Sequence, residues 1–228
     1  MPSVFLSRDQ RSAGLFVTLM QKAGWSVQAV SLLVFRAEPF DLPPQPLDWL
    51  FFYSRKGVRF WHRAGKAPPE GCRIAAMGQG TAAELERLDW EVDFVGEGHP
   101  TAVAKAFGKV AAGQRVAFMQ ARHSRQSVEK ALAEQVEVLP VVVYDNVPKS
   151  EFTVRPADYL VFTSPLNFAT YRQHYSIMPA SRYVAIGATT ARAFTKAGVP
   201  HFRVAGTPSE QGLAACVLAW EAEEPRVT

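Results

Sequence analysis

The stretch Val184-Ala185-Ile186-Gly187-Ala188-Thr189-Thr190-Ala191-Arg192-Ala193-Phe194 decides the fold of this chain. Its apolar start predicts a short buried strand, its glycine predicts a tight turn, and the remainder predicts a helix that ends near Gly198. A similar stretch, Ile74–Leu85, has Gly78 at its turn. A helix start attracts anions because its unpaired N–H groups and the positive end of its dipole point outward. The sequence therefore predicts two anion-binding turns.

The two stretches belong to an internal repeat. Gly78 and Gly187 are 109 positions apart (187 − 78), and so are Thr81 and Thr190 (190 − 81). Three further pairs of segments recur at similar distances: Asp48–Ser54 with Asp158–Ser164, Gly98–Thr101 with Gly206–Ser209, and Val27–Phe35 with Val136–Tyr144. A period of about 110 residues is far longer than the unit of a solenoid. It predicts an internal duplication that gives two similar lobes.

Predicted strands alternate with predicted helices along the chain, which indicates an α/β fold with parallel sheets. Two polar connectors that contain proline, near 36–47 and 145–156, bracket a central segment. Two architectures fit this pattern. Either the lobes follow one another along the chain, or the first strand–helix–strand segment joins the last third and the middle forms a lobe of its own. The residue pattern by itself leaves both open.

Composition limits the class of protein. The chain has 228 residues, 48% hydrophobic content and a formal net charge of +4. These values suit a globular protein that binds an acidic small molecule, and the absence of a dense Lys/Arg block argues against a nucleic-acid partner. No apolar run approaches the length of a membrane span, so we expect no membrane partner. The two cysteines, Cys72 and Cys216, indicate buried thiols, so we expect a cytoplasmic location.

Sequence motifs for metals and nucleotides are also missing. The five histidines have no metal-binding spacing, and no Cys/His cluster accompanies them. Neither a dinucleotide-binding nor a P-loop glycine motif follows a predicted strand. We therefore expect no metal and no cofactor.

Several motifs, taken in their order, resemble uroporphyrinogen-III synthase. They are Val142–Tyr144, Asp158–Pro165, Ala185–Ala191 and Gly206–Ser209. The resemblance extends over nearly the whole chain and implies the second architecture. One discontinuous α/β domain would comprise 1–35 plus 147–228, and a second α/β domain would comprise 38–144. Two extended strands would connect these similar lobes, and the active site would lie in a cleft between them.

The resemblance also implies a reaction. It is the closure of hydroxymethylbilane, a polyanionic linear tetrapyrrole, with inversion of the terminal pyrrole ring and loss of water. We expect a monomer whose partner is this small molecule. The resemblance assigns proton delivery to Tyr144, at the end of an apolar strand. It assigns substrate binding to residues at helix starts and strand ends: Ser54, Thr81, Arg122, Ser164, Gly187, Ala188, Thr189 and Thr190.

Other interpretations of the same residues stay open at this point. Thr81 and Thr190 would serve as helix caps, because threonine is a good N-cap. Tyr144 would be an ordinary strand residue, because aromatic residues favour strands. The alternative function is a non-catalytic two-lobe binding or sensor protein for an anionic small molecule.

Overall fold

The computed structural model describes residues 1–44 and 46–225. Strands and helices alternate along the chain, and the predicted α/β fold is confirmed. In chain order the elements are β1 (Ser3–Leu6), a short 3-10 helix (Gln10–Ser12), α1 (Gly14–Lys22), β2 (Ser26–Ala29), β3 (Leu33–Ala37), β4 (Trp49–Phe52), α2 (Arg55–Arg63), β5 (Arg73–Ala76), α3 (Gln79–Glu86), β6 (Phe94–Val95), α4 (Pro100–Ala111), β7 (Arg115–Ala121), α5 (Ser127–Leu132), β8 (Glu137–Pro148), β9 (Tyr159–Phe162), α6 (Pro165–His174), β10 (Arg182–Ala185), α7 (Ala188–Lys196), β11 (Phe202–Val204) and α8 (Glu210–Glu223).

The chain divides into two compact units. Unit 1 combines residues 1–34 with 147–228, and unit 2 comprises residues 35–146. The strands β3 and β8 run across these boundaries, so the chain passes from one unit to the other along two extended segments.

Each unit is built on its own sheet. The sheet of unit 1 has the order β11-β10-β9-β1-β2, and neighbouring strands pair in parallel. The second sheet has the order β3-β8-β7-β4-β5-β6, with parallel pairing from β8 through to β6. Parallel neighbours require crossover connections, and the helices supply them.

The internal repeat appears as two sheets with the same strand order. The order β11-β10-β9-β1-β2 in unit 1 corresponds to β6-β5-β4-β7-β8 in unit 2. The starts of equivalent strands are separated by 108 to 112 positions. The separation is 112 for β1 and β7 (115 − 3) and 108 for β6 and β11 (202 − 94). The first copy thus supplies β1 and β2 to unit 1 but β4 to β6 to unit 2. The second copy does the reverse, so no unit contains a whole repeat.

Equivalent hydrogen bonds join the two copies within each unit. The Asp48 carboxylate accepts the Arg115 N–H at 2.8 Å, and the Asp158 carboxylate accepts the Ser3 N–H at 2.7 Å. In both cases an aspartate just before one central strand holds the first residue of the adjacent strand. These bonds align the two strands at their amino ends.

The strands are apolar on both faces because helices cover both faces of each sheet. In β4, Trp49 and Phe51 face one hydrophobic cluster, while Leu50 and Phe52 face another. Side chains from α2 and α3 join the Leu50 cluster, and side chains from α4 and α5 join the Phe51 cluster. Unit 1 follows the same plan, with α1 and α8 on one face and α6 and α7 on the other.

The segments 27–35 and 124–135 differ in extent from the elements that their residue patterns predict. The apolar run at 27–35 predicts a single strand, but it is divided between β2 and β3, because the Ser31 hydroxyl donates to the Leu33 carbonyl at 2.8 Å in a local turn. The residue pattern over 124–135 predicts a longer helix, but α5 comprises only Ser127–Leu132. Before it, the Ser124 hydroxyl accepts the Gln126 N–H at 3.2 Å and Gln126 has a φ of 54°. Such side-chain turns compete with the first turn of a helix.

Across residues 1–44 and 46–225, no helix has both the length and the apolar character needed to cross a membrane.

Candidate active site

Four of the predicted site residues lie at one edge of the unit 2 sheet. Tyr144 ends the apolar part of β8, Arg122 follows β7, Ser54 follows β4, and Thr81 lies in the helix after β5. These strands are parallel neighbours, so their carboxyl ends share an edge. The chain first builds β5 and β6 on one side of β4 and then crosses to β7 on the other. Ligands in open α/β sheets bind at such a reversal of strand order.

Tyr144 is packed between two aromatic rings. It is 9% exposed. Its ring stacks on Phe60 with centroids 5.2 Å apart and an interplanar angle of 13°, and Phe35 lies 6.1 Å away at 59°. Its hydroxyl lies 3.3 Å from the Ser54 hydroxyl. Because the two rings restrict the phenol ring, its hydroxyl has a defined position at the sheet edge.

Ser54 caps the start of α2. Its backbone is extended, with φ −161° and ψ 157°, and its hydroxyl oxygen accepts the Gly57 N–H at 3.1 Å. Serine is among the best N-cap residues because its short side chain reaches this N–H group. The same oxygen therefore serves the helix start and contacts Tyr144.

Arg122 joins the edge through its backbone, but its side chain is already occupied. Its N–H donates to the Tyr144 carbonyl at 2.9 Å. Its guanidinium pairs with Glu38 and lies 3.6 Å from Asp145. The Glu38 carboxylate raises the pKa of Arg122 above its ordinary value, mainly through this hydrogen bond. A substrate carboxylate at Arg122 would have to share the guanidinium with these two acids.

The idea that Thr81 and Thr190 cap their helices is wrong. Gly78 and Gly187 occupy the two N-cap positions, and neither helix start has a side-chain cap. Both threonine side chains are buried within the first turn. The Thr81 N–H bonds to the Gly78 carbonyl at 2.8 Å, and the Thr190 N–H bonds to the Gly187 carbonyl at 3.0 Å.

Unit 1 places Ser164 at the matching edge of its own sheet, where β9 and β1 are neighbours. The Ser164 oxygen accepts the Asn167 N–H at 3.1 Å and the Asn167 side-chain amide at 3.0 Å. Next to it, the Thr163 N–H donates to the Ser7 hydroxyl at 2.9 Å, which links the two strand ends. Ser164 thus matches Ser54 in its cap, but an asparagine replaces the tyrosine as its second partner.

Gly187, Ala188, Thr189 and Thr190 form the turn and the first residues of α7. Ala188 is exposed, Gly187 and Thr189 are exposed to an intermediate degree, and Thr190 is fully buried. The Thr190 hydroxyl oxygen has no hydrogen-bond partner among the residues that the structure describes. A ligand at this turn would first meet the backbone of Gly187 to Thr189.

The equivalent helices α3 and α7 differ from the other helices of the described chain. Their first N–H groups have no side-chain acceptor within residues 1–44 and 46–225. The other six starts have side-chain acceptors: Glu210 for α1, Ser54 for α2, His99 for α4, Tyr53 for α5, Ser164 for α6 and Ser209 for α8. Polar N–H groups that lack a protein partner can bind an external anion.

Two site-edge residues were missed by the sequence analysis. Arg55 follows Ser54, and its side chain lies beside Gly80 in the first turn of α3. A Cβ added at Gly80 would lie 3.9 Å from the Arg55 side chain. Glu129 is 3% exposed at the start of α5, 3.4 Å from the Tyr53 hydroxyl. Burial raises the pKa of Glu129 to about 7. No sequence motif marks either contact, because each depends on packing between separate helices.

Metal chemistry has no obvious location in the part of the chain that the structure covers. Among residues 1–44 and 46–225, no three His, Cys, Asp or Glu side chains are grouped so that they could hold an ion.

Comparison with known proteins gives consistent results. The family model described as "Uroporphyrinogen-III synthase HemD" matches residues 15–215. The fold is similar to the crystal structure of uroporphyrinogen-III synthetase from Helicobacter pylori, with a TM-score of 0.73 and 20% identity over 96% of this chain and 100% of that chain. It is also similar to a mutant uroporphyrinogen III synthase from Thermus thermophilus, with a TM-score of 0.56 and 19% identity over 98% and 100%. Comparison with curated protein sequences gives no significant match.

Proposed function

This chain belongs to the uroporphyrinogen-III synthase family, the cyclising lyases of tetrapyrrole synthesis, and we propose that it converts hydroxymethylbilane into uroporphyrinogen III with the residues described above. The match extends over residues 15–215 and gives no support to a non-catalytic binding protein. The substrate is a small molecule that carries many carboxylates.

The paired uncapped helix starts support this proposal best. The starts of α3 and α7 occupy equivalent positions in the repeat, and neither uses a side chain of the described residues to satisfy its first N–H groups. We propose that substrate carboxylates bind at helix starts of this kind, which involve Thr81, Gly187, Ala188 and Thr189. Each contact of this kind is worth about 0.3–1 kcal/mol, and up to about 2 kcal/mol where the site is partly buried.

The remaining predicted residues have supporting roles in the proposal. Ser54 and Ser164 stabilise the helix starts beside the two uncapped ones. Arg122 adds positive charge at the edge of the unit 2 sheet, shared with Glu38 and Asp145. Thr190 fixes the first turn of α7 from inside the unit. Together these contacts would hold a flexible chain of four pyrrole rings in a folded pose, which is the main catalytic task.

Tyr144 is the proposed proton donor. Its hydroxyl lies at the edge of the sheet and has a defined position, because Phe60 and Phe35 restrict its ring. It would protonate the hydroxyl group that leaves the terminal pyrrole. The pyrrole stabilises the resulting centre, so a weak acid is sufficient, and we expect only part of the rate enhancement to come from Tyr144.

Loss of water, formation of a spiro intermediate, fragmentation and reclosure exchange no electrons with an acceptor, so we propose that no cofactor is needed. We further propose a cytoplasmic monomer without a nucleic-acid partner. A reducing compartment agrees with the two free thiols, Cys72 and Cys216. Burial raises the pKa of the Cys72 thiol to about 11, which keeps it protonated and unreactive.

Product identity tests the proposed function. The purified chain is incubated with freshly generated hydroxymethylbilane, and the isomers are separated after oxidation to the porphyrins. We expect the isomer with the inverted ring, whereas closure without enzyme gives the isomer that is not inverted. A mixture identical to that of the heat-inactivated protein would reject the proposal.

A further inference from the structure

We infer that Ser54 is a positioning residue for Tyr144, in an arrangement in which the Ser54 O–H donates to the phenol oxygen and leaves the phenol proton available to the substrate. The inference rests on the proposed function and assigns Ser54 a role in the chemical step beyond substrate binding. The observation behind it is the 3.3 Å contact between the two hydroxyl groups at the edge of the unit 2 sheet.

The hydrogen-bond inventory of Ser54 leaves its hydroxyl proton free to be donated in this bond. A serine hydroxyl has one proton to donate and two lone pairs that accept. The Gly57 N–H already donates to the Ser54 oxygen at 3.1 Å, so one lone pair is occupied and the proton is still unused. Donation to the Tyr144 oxygen uses that proton. Tyr144 then accepts from Ser54, and its own proton is directed elsewhere.

The start of α2 strengthens this arrangement. The positive end of the helix dipole and the Gly57 N–H both withdraw electron density from the Ser54 oxygen. Hydrogen bonds in a chain polarise one another, so the Ser54 O–H becomes a better donor. A phenolate at Tyr144 would therefore be stabilised at the moment when the proton leaves.

Two of the contacts of Tyr144 come from the same helix, α2. Phe60 lies on α2, the helix that Ser54 caps, and stacks on the Tyr144 ring. The cap and the stack therefore belong to the same helix, so a movement of α2 shifts both contacts together. Both contacts of Tyr144 therefore depend on the position of the same helix.

Proton transfer from Tyr144 accompanies the departure of the substrate hydroxyl group. The Tyr144 proton moves to the leaving hydroxyl oxygen, and the C–O bond breaks with its electron pair on that oxygen, which gives water. The lone pair of the pyrrole nitrogen stabilises the positive charge that develops on the carbon atom. The phenolate accepts the Ser54 hydrogen bond and is reprotonated by the proton that the substrate releases when the ring closes.

The repeat provides a matched control. Ser164 is the equivalent of Ser54 and also caps its helix, with a 3.1 Å bond from Asn167 N–H. Its second described partner is the Asn167 side-chain amide rather than a tyrosine. A role that is limited to capping or to substrate binding predicts similar losses at Ser54 and Ser164. A role through Tyr144 predicts a larger loss in kcat at Ser54 than at Ser164.

A double-mutant cycle tests the inference in the full chain. The variants are Ser54→Gly, Tyr144→Phe, the double variant, Ser164→Gly and Ser54→Thr. Glycine is tolerated at N-caps almost as well as serine, so the glycine variants are expected to fold. We expect Ser54→Gly to lower kcat about fivefold to tenfold with KM changed less than about twofold, the size of one lost hydrogen bond. Ser54→Thr, which keeps the hydroxyl, should retain kcat within about twofold.

The decisive number is the effect of Ser54→Gly in the Tyr144→Phe background. We expect it to fall below about 1.5-fold, because non-additivity of this kind marks residues that act through one another. If wild-type protein forms the inverted isomer, either of two results would overturn the inference. One is an effect of Ser54→Gly that is as large in the Tyr144→Phe background as in wild type, and the other is an equal loss of kcat in Ser164→Gly. If wild-type protein does not form that isomer, the proposed function fails instead.

Discussion

The hydroxyl groups of Tyr144 and Thr190 have opposite surroundings. The phenol of Tyr144 has Ser54 as a partner and lies at a sheet edge. The Thr190 hydroxyl is fully buried, and its oxygen has no partner among the described residues. A buried polar group without a hydrogen bond costs free energy, so its presence calls for an explanation in function or in local packing.

Thr190→Val is expected to increase the free energy of unfolding by about 1 kcal/mol, because valine has the shape of threonine without the buried hydroxyl. Chemical denaturation of the two proteins measures the change. The value of kcat/KM in the same preparation then decides the role of Thr190 in the site. An unchanged kcat/KM would limit its side chain to packing inside the unit, and a lower stability would show that the hydroxyl has a hydrogen-bond partner.

Glu129 makes stability depend on pH. Its folded pKa is raised to about 7 from an ordinary value of 4.5, chiefly by burial, while Tyr53 and Lys130 lower it. The folded protein therefore holds this proton more tightly than the unfolded chain, and the contribution of Glu129 to stability falls as the pH rises from about 4.5 to 7.

Glu129→Gln should remove this slope and make the protein more stable than wild type at pH 8, because the amide cannot ionise. Urea denaturation at pH 5 and pH 8 provides the comparison. Glu134→Gln, at an exposed position just after α5, is the control and should keep the wild-type slope. Equal slopes in wild type and Glu129→Gln would contradict the prediction.

At the scale of elements, the strand–turn–helix motif has two forms in this fold. One ends in serine and satisfies its own helix start, as at Ser54 and Ser164. The other ends in glycine and leaves the first N–H groups without a described side-chain acceptor, as at Gly78 and Gly187. Neither glycine is needed for backbone conformation, since φ is −179° and −176°. The absence of a side chain is what distinguishes these positions.

Gly187→Asp is therefore expected to fold and still lose activity. An added Cβ meets nothing within 4 Å, and aspartate is a better N-cap than glycine. Its carboxylate would occupy the α7 start and compete with the substrate, so kcat/KM should fall about tenfold, while the melting temperature stays equal or rises. Ser209→Asp, which exchanges one cap for another at α8, is the control. Comparable losses in both variants would mean that added negative charge alone is responsible.

The elements show what a sequence can and cannot predict. The order of strands and helices followed from local patterns, because apolar runs, glycine turns and helix spacing lie within about ten residues of one another. The site depends on distant contacts. Ser54 and Tyr144 are 90 positions apart, and the stacking of Phe60 on Tyr144 has no signature in the sequence. The capping of α1 by Glu210, from the far end of the chain, is equally invisible.

At the scale of the whole molecule, sequence repeats and structural units do not coincide. Residues 35–146 contain β4 to β8 with both of their hydrophobic clusters. A fragment of the same length, residues 1–112 (146 − 34 = 112), contains one whole repeat but separates β1 and β2 from β9, and β4 from β7.

Fragment 35–146 should fold alone and unfold cooperatively in urea, because it contains β4 to β8 and both of their hydrophobic clusters. Fragment 1–112 should lack a cooperative transition, although it has the same length and the more regular sequence boundary. Circular dichroism during titration with urea distinguishes the two. A cooperative transition in fragment 1–112 alone would show that a repeat, and not a structural unit, is the folding unit.

The exchange of strands between the copies also bears on ancestry. An early chain with a single copy would have contained two strands of one sheet and three of another. The strand that now pairs with the other copy would have been unpaired in each. Two such molecules that traded segments would have completed both sheets at once. Fusion of the end of one partner to the beginning of the other would then give the exchange of strands that the present single chain has.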